Sequence, residues 1–219
     1  MKSLVRVVAD AIASSIFANP SDYHLRNGGN PHRFSRYTSN KGCLGAMAEG
    51  IFFEFALPDD PSLDRFSCGY ERTDHYFRSR EWFNADKRRS APPTYVFRVA
   101  EDGPVVGYCA FDFGKRLHPD NASTTKASYL VIYMIGVDQA FQGIRNPLAP
   151  GQTYAVSIMA SLEEIARQKP NCVGLSLWVR STNAAAIGLY RKVGFLPDPS
   201  GPFHRDQGDP IVTMRKILN

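Results

Sequence analysis

The sequence has few of the features that mark membrane, secreted or metal-binding proteins. No run reaches the roughly 18 apolar residues that a membrane-spanning helix needs. The four cysteines show no C-x-x-C pair, and the five histidines show no metal-ligand spacing. A chain of 219 residues can bury a core without a disulfide framework. We therefore expect a reduced, cytoplasmic protein that holds no metal and contacts no membrane.

The first residues also lack the unbroken apolar core of a signal peptide. Arg6 and Asp10 interrupt the segment MKSLVRVVADAIASSIFA, whose apolar residues fall on one helical face. We interpret this segment as a docked amphipathic helix. Residues 19–45 are polar and basic, and the short motifs NP and NGG are typical of a loop. Together they predict an N-terminal extension over residues 1–49, followed by one domain over residues 50–219.

The net charge of +5 favours partners that are rich in phosphate. Basic residues cluster between residues 23 and 41, where aromatic residues lie among them, and again between residues 72 and 89. A solvated surface is the plainer interpretation of either cluster, and nucleic-acid binding is the functional one.

The remaining sequence alternates strand and helix patterns. An almost continuous apolar run over residues 128–137 predicts a central strand that is buried on both faces. Two β-rich runs joined by Glu101, Asp102 and Gly103 predict a hairpin. The fold class is therefore α/β, a mixed sheet with helices on its faces. The other predicted elements are strands over 50–58, 174–180 and 210–218, and helices over 70–89, 153–168 and 183–193, the last ending at Gly194.

The most specific motif is VRSTNAAAIGLYRKVGF, in which Asn183 and Tyr190 project from the same face of a helix. A single tyrosine at helical spacing is usually a core residue. The whole spacing, however, closely resembles the last block of the GNAT superfamily of acyl-coenzyme A N-acyltransferases. The resemblance implies a V-shaped mixed sheet, acetyl-CoA as co-substrate, coenzyme contacts at Asn183 and Ala186, and Tyr190 as general acid beside the thioester sulfur.

In that superfamily the loop after the central strand reads approximately Q/R-x-x-G-x-G/A, and its backbone N–H groups hold the pyrophosphate. Here the insertion IRNPLAP splits the motif, and its Arg145 can also contact a phosphate. The alternative is a loop that no longer binds phosphate and a protein without catalytic activity. The matching loop positions are Gln142, Gly143, Gly151, Gln152 and Thr153, of which Thr153 is expected to cap the next helix.

A second block points to one branch of the superfamily. The segments LDRFSCGYERTDHYFRSREW and TYVFRVAEDGPVVGYCAF resemble the toxin branch, although Thr73 departs from the usual leucine. The resemblance implies an aminoacyl-tRNA as acceptor and a ribbon-helix-helix antitoxin as partner. It leaves the oligomeric state open, with a homodimer as one choice. The residues expected to contact RNA are Arg78, Arg80, Lys87, Arg88 and Arg89.

The chemistry of the acceptor gives an independent argument. The central strand offers no Asp, Glu or His as a base. An α-amine, with a pKa of about 8, is neutral at pH 7 far more often than a lysine with a pKa of about 10.4. A protein N-terminus, a lysine and a small amine remain alternative acceptors, and a silent binding or regulatory protein remains the alternative of another class. The expected carbonyl donors are the amides around Ile135, Gly136 and Val137, and the candidate bases are Glu54, Asp112, Asp138 or a chain of waters.

Overall fold

The computed structural model describes residues 46–48, 50–83, 92–117, 126–198 and 210–218. The predicted N-terminal helix and the basic loop lie outside the described residues. The chain divides into two units, Met1–Ala46 and Met47–Asn219, and the fold is that of the second. No helix in the described part of the chain is long and apolar enough to cross a membrane.

Strands and helices alternate along the second unit, as the sequence pattern predicts. The strands are β1 (Ala46–Ala48), β2 (Ile51–Phe55), β3 (Thr94–Arg98), β4 (Val105–Leu117), β5 (Lys126–Val137), β6 (Cys172–Arg180), β7 (Leu196–Pro197) and β8 (Ile211–Ile217). The helices are α1 (Ser62–Arg65), α2 (Glu71–Arg78), α3 (Tyr154–Gln168) and α4 (Ala184–Lys192), with short 3₁₀ turns at Glu81–Phe83 and Gln139–Phe141.

Within the described residues, the strands form one eight-stranded mixed sheet in the order β1-β2-β3-β4-β5-β6-β8-β7. Strands β2 to β5 pair antiparallel, and the predicted β3–β4 hairpin is confirmed. Strand β6 runs parallel to β5, and β8 runs antiparallel to β6. The α3 crossover between β5 and β6 is the long connection that a parallel pair needs.

Two apolar layers hold the sheet between its helices. An aromatic cluster that includes Phe66, Phe77 and Tyr108 fixes α1 and α2 on one face. On the other face, Ile158, Leu162 and Ile165 of α3 are buried at the spacing of one helical stripe. Burial of each such side chain stabilises the fold by about 1.5–3 kcal/mol.

The prediction of one helix over residues 70–89 is wrong. Helix α2 ends at Arg78, because Arg80 adopts a positive φ of 55° that a helix cannot continue. The Arg80 guanidinium is held by the carbonyl of Pro58 at 2.6 Å and by Asp64 at 2.9 Å. Residues 84–91 lie outside the described residues.

The prediction that the central strand is buried on both faces holds only for part of β5. Tyr129, Leu130, Val131 and Ile132 are buried, whereas Tyr133 is 42% exposed. The change occurs at a β-bulge, where Ile132 faces Phe111 and Met134 faces Ala110 while Tyr133 has no partner on β4.

Candidate active site

The two central parallel strands separate part of the way along the sheet. Pairing between β5 and β6 stops at Ile132 and Leu177. Strand β5 nevertheless stays paired with β4 up to Val137, and β6 stays paired with β8 up to Arg180. The bulge at Tyr133 bends β5 at this point. The result is a V-shaped opening between the upper halves of β5 and β6.

The backbone of β5 presents hydrogen-bonding groups to this opening. The Asp138 N–H donates to the Val106 carbonyl of β4 at 2.8 Å. Because direction alternates along an antiparallel strand, the N–H of Gly136 also points to β4, and those of Ile135 and Val137 point into the opening. Of the three predicted amides, Ile135 and Val137 are therefore the two that a ligand between the strands can reach.

The loop that follows β5, residues 138–153, is called the coenzyme loop below. Arg145 forms an antiparallel bridge with Thr153, and the Tyr154 N–H donates to the Ile144 carbonyl at 3.1 Å. These contacts close residues 146–152 into a separate turn. The split motif is thus rejoined in space, because the chain leaves the loop beside the point where it enters.

The rejoined motif lies at the beginning of α3. Gly143 and Gly151 have φ values of +73° and +83°, which non-glycine residues rarely adopt. Thr153 is the N-cap residue of α3, but its hydroxyl accepts no hydrogen bond from the helix, so the predicted side-chain cap is absent. The first-turn N–H groups of Ala155 and Val156 have no intrahelical acceptor and are available to an anion.

Asn146 anchors the inserted turn and was not predicted as a site residue. It is 2% exposed, and its amide group donates to the Gly50 carbonyl at 3.0 Å and to the Ser157 hydroxyl at 2.9 Å. Its side-chain oxygen accepts from the Leu148 N–H. The buried amide therefore connects the insertion to Gly50, just before β2, and to α3.

A second loop, residues 66–70, borders the opening from the α1–α2 face and is called the acceptor loop below. It is bound to the coenzyme loop by backbone contacts, including the Gln139 N–H to the Ser67 carbonyl at 2.8 Å. Gln142 donates from its side chain to the carbonyls of Cys68 at 2.8 Å and Val137 at 2.9 Å. The Gln142 side chain therefore links the two loops by hydrogen bonds in this structure.

Asp74 of α2 fixes the acceptor loop through hydrogen bonds. Its carboxylate accepts from the Cys68 N–H at 2.7 Å and from the Ser67 hydroxyl at 3.0 Å. Burial alone would raise the pKa of Asp74, but the hydrogen bonds from Cys68 and Ser67 outweigh it and lower the pKa. Burial and the neighbouring Asp74 raise the pKa of the Cys68 thiol to about 12, so the thiol stays protonated.

Gly136 allows the acceptor loop to approach β5 closely. A Cβ atom at Gly136 would lie 3.0 Å from side-chain atoms of Phe66 and Thr73, and 3.2 Å from Cys68. Any side chain at this position would press on the acceptor loop. The role that the structure supports for Gly136 is therefore close packing.

Helix α4 carries the two residues of the C-terminal motif. Asn183 is its N-cap residue, and the side-chain oxygen accepts from the Ala186 N–H at 3.1 Å. That contact leaves the amide NH₂ of Asn183 for another acceptor. Gly194 ends the helix with a φ of +91°, and Phe195 returns to the core, as predicted.

Tyr190 lies two turns further along α4 and is 6% exposed. Its ring packs 5.9 Å from that of Phe195, and its hydroxyl makes no hydrogen bond within the described residues. Burial raises the pKa of Tyr190, and the nearby thiols of Cys109 and Cys68 raise it further. The side chains of α4, β4 and the acceptor loop thus meet around one protonated phenol.

A groove of about 410 Å³ lies between α3 and the end of α4, on the opposite face from the acceptor loop. Gln152 and Val156 line one side, and Lys192 and Gly194 line the other. At its base, Lys216 is paired with Glu163. The groove therefore continues from the coenzyme loop along the α3–α4 face.

The carboxylates expected as bases have other partners. Glu54 is paired with Arg98 at 3.2 Å, and Asp138 accepts from the N–H groups of Ser67 and Ala140. Asp112 lies opposite Val131, below the point where the strands separate. Among the described residues, no group of His, Cys, Asp and Glu side chains could hold a metal ion.

Two of the five residues predicted to contact RNA, Arg78 and Arg80, have partners on the α1–α2 face. Arg80 is engaged by Pro58 and Asp64, and the exposed Arg78 donates to the Asp74 carbonyl at 3.3 Å. Lys87, Arg88 and Arg89 lie outside the described residues.

The comparisons agree with this geometry. A model of the acetyltransferase (GNAT) family matches residues 56–195. No curated protein matches the chain.

Solved structures with similar folds include a bacterial toxin, at 15% identity and a TM-score of 0.55, with 76% of this chain and 90% of the toxin covered. A tyrosine-to-phenylalanine mutant of the toxin AtaT, bound to the C-terminus of the antitoxin AtaR and acetyl-CoA, has 15% identity, a TM-score of 0.50 and coverages of 76% and 92%. NAA60 of Arabidopsis thaliana, in complex with a bisubstrate analogue, has 15% identity, a TM-score of 0.50 and coverages of 77% and 98%. The V-shaped opening, the rejoined glycine loop and the family match over most of the domain establish that this chain belongs to the GNAT family of acetyltransferases.

Proposed function

We propose that the protein transfers the acetyl group of acetyl-CoA to the α-amine of an aminoacyl-tRNA and acts as a toxin that blocks translation. The observation that carries this proposal is the composition of the opening. Residues 133–137 of β5 provide backbone N–H groups and Tyr190 provides a phenol, but these residues contain no carboxylate or imidazole. Such a site suits an acceptor amine that is already neutral in solution.

The residues around the opening fit acetyl-CoA. Its pantetheine arm would lie between β5 and β6, where Ile135, Val137 and the free amide of Asn183 offer hydrogen bonds. Its pyrophosphate would be held by the rejoined loop and the first turn of α3, a site type in which backbone N–H groups and the helix dipole act together. Bound acetyl-CoA supplies the activated acetyl thioester.

Tyr190 would act on the leaving sulfur. Because its pKa is raised above the ordinary value of about 10, the phenol stays protonated throughout the physiological pH range. It would stabilise the departing thiolate, whose pKa is about 8.5, by donating a hydrogen bond and would release its proton late. The proton that the acceptor nitrogen loses on becoming an amide would then restore the phenol. The Val137 N–H would polarise the acetyl carbonyl.

The acceptor loop argues for direct transfer from coenzyme to amine. Cys68 lies beside Tyr190 and could in principle carry the acetyl group. A thiol with a pKa of about 12 is protonated at pH 7, and the thiolate is the reactive form. Cys68 therefore contributes packing and a backbone contact to the site.

The likenesses to solved structures bear on two candidate acceptors, an aminoacyl-tRNA and a protein N-terminus. The fold likenesses to toxins, one of them bound to an antitoxin, support a toxin with an antitoxin as its regulatory partner. The aminoacyl-tRNA acceptor is what the sequence resemblance to the toxin branch implies. The likeness to NAA60 supports the second candidate, a protein N-terminus, whose α-amine also has a pKa of about 8.

The test measures transfer of labelled acetyl groups from acetyl-CoA to matched acceptors. The acceptors are a mixture of aminoacyl-tRNAs, the same tRNAs after deacylation, and short peptides with free and with blocked N-termini. We expect transfer to charged tRNA alone, and loss of transfer in Tyr190→Phe. Transfer to free peptides with none to charged tRNA would replace the tRNA proposal by the N-terminal one. Expression of the wild type, but not of Tyr190→Phe, should arrest bacterial growth.

A further inference from the structure

A cluster of aromatic and arginine side chains lies beside the opening and is not used by the coenzyme chemistry. Tyr133 and Trp178 stand on β5 and β6, 42% and 37% exposed, with ring centroids 5.7 Å apart. The Arg116 guanidinium lies 5.3 Å from the Trp178 ring centre. The Arg180 guanidinium lies 5.9 Å from the ring centre of Tyr70, in the acceptor loop. These five residues are called the aromatic platform below.

All members of the platform lie on the face opposite α3. Leu175 of β6 lines the groove beside α3, so the alternation along β6 places Trp178 and Arg180 on the α1–α2 face. Tyr133 meets Trp178 on the same face. Arg116 is placed there by its contact with the Trp178 ring.

This placement separates the platform from the coenzyme loop. The rejoined loop and the groove that follows it lie on the α3–α4 face. The platform lies across the opening, and Tyr70 connects it to the loop that reaches Tyr190. A ligand seated on the platform therefore approaches the acetyl group from the side opposite the coenzyme.

The chemistry of the platform selects among acceptors. Half-exposed aromatic rings with guanidinium groups bind single-stranded RNA, because bases stack on the rings and arginine pairs with phosphates. A short peptide N-terminus offers neither a planar base nor a phosphate. We infer that the aromatic platform binds the single-stranded 3′ end of the acceptor tRNA by stacking a nucleobase on the exposed ring faces of Tyr133 and Trp178. The inference rests on the proposed function and names the part of the substrate that the site recognises.

Tryptophan fluorescence gives a direct test, because the chain has two tryptophans and Trp82 is 7% exposed. Titration of the full chain with the RNA trinucleotide CCA should quench the Trp178 emission with saturation. In Trp178→Leu the remaining emission should not respond. Tyr133→Leu should raise the Kd for CCA about 5- to 100-fold, the range expected for the loss of one stacking ring. Phe55→Leu is the matched control, since Phe55 is 38% exposed on the distant strand β2.

Steady-state kinetics provide a second test of the platform. Trp178→Leu should raise the KM for aminoacyl-tRNA about 5- to 100-fold, leave the Kd for acetyl-CoA within about twofold, and be largely rescued by Trp178→Phe. Transfer to aminoacyl-tRNA with an unchanged KM in Trp178→Leu would overturn the platform and leave the proposed function standing.

The fluorescence titration with CCA also tests RNA binding by the platform independently of acetyl transfer. If the wild type does not acetylate aminoacyl-tRNA, the proposed function fails, while saturable quenching by CCA would still support RNA binding by the platform. No quenching by CCA would overturn the inference, and quenching by a free peptide alone would assign the platform to a polypeptide acceptor.

Discussion

The two loops that border the opening are built in opposite ways. The coenzyme loop is largely exposed and offers backbone groups, with glycines at positive φ and an insertion closed off as a separate turn. The acceptor loop is fixed by side chains, since buried Asp74 holds Ser67 and Cys68. Gln142 joins one loop to the other.

This difference explains which of the two loops, and the half of the site that it forms, tolerates changes in sequence. A loop that works through backbone N–H groups can accept an insertion if the two ends are hydrogen-bonded together, because loop closure adds little free energy. A loop that depends on close side-chain contacts can be disturbed by one added methyl group. The coenzyme half should therefore survive sequence drift that would inactivate the acceptor half.

The largest effect is expected at the phenol that both halves share. Tyr190→Phe should lower kcat about 10²- to 10³-fold and leave the Kd for acetyl-CoA nearly unchanged, because the ring keeps its packing and loses only the hydroxyl group that donates to the leaving sulfur. A drop in kcat below tenfold would show that Tyr190 does not act on the leaving sulfur.

The pH profile provides an independent check on the same residue. Because the pKa of Tyr190 is raised, its donor form is not lost as the pH increases to 10. The kcat/KM should rise through the acceptor pKa, at or below about 8, and then stay level. A decline between pH 8 and 10 would contradict the assigned state of Tyr190.

A methyl group at Gly136 should break the acceptor half selectively. Gly136→Ala would bring a Cβ within 3.0 Å of Phe66 and Thr73, so kcat/KM for the acceptor should fall at least about tenfold. Gly188→Ala is the matched control, because nothing lies within 4 Å of its added Cβ. In the helix α4 this control should stabilise the fold by about 0.5–1 kcal/mol. Equal kinetics in the two variants would contradict the close-packing role of Gly136.

Removal of the buried amide should loosen the insertion. Asn146→Ala leaves the Gly50 carbonyl and the Leu148 N–H without this partner, and the free energy of unfolding should fall by about 1–3 kcal/mol. Thermal unfolding measures the change. Leu148→Ala, at a side chain 56% exposed in the same turn, should shift stability by less than about 0.5 kcal/mol. A variant as stable as the wild type would mean that Asn146 does not anchor the turn.

The smallest effect is expected at Cys68. Cys68→Ala keeps the backbone N–H that Asp74 binds, so kcat should stay within about threefold of the wild type. Mass spectrometry of the wild type with acetyl-CoA alone should detect no acetylated protein. An acetyl group on Cys68, or loss of activity in Cys68→Ala, would indicate transfer through the thiol.

The sequence predicted the order of the main elements and the positions of the coenzyme loop and α4, because these depend on local signals. Apolar periodicity located β5 and α3, and glycine spacing located both ends of the coenzyme loop. The C-terminal motif located the cap residue Asn183 and the buried Tyr190.

The parts that the sequence did not predict depend on tertiary contacts. The break after Arg78 follows from a positive φ at Arg80 that Pro58 and Asp64 stabilise. The bulge that exposes Tyr133 depends on the register with β4. Asp74 in the toxin-like block and Asn146 before Pro147 could be recognised in the sequence only as polar residues, and the sequence did not show that they are buried.

Calorimetric titration of the full chain with acetyl-CoA tests the coenzyme site most directly. The wild type should bind with a micromolar Kd. Asn183→Ser should bind at least about tenfold more weakly with an almost unchanged Tm, since serine retains the helix cap and lacks the amide NH₂. Asn183→Ala should lose both affinity and about 1 kcal/mol of stability. No binding by the folded wild type at millimolar acetyl-CoA would contradict the central claim that the rejoined loop and the opening form a working coenzyme site.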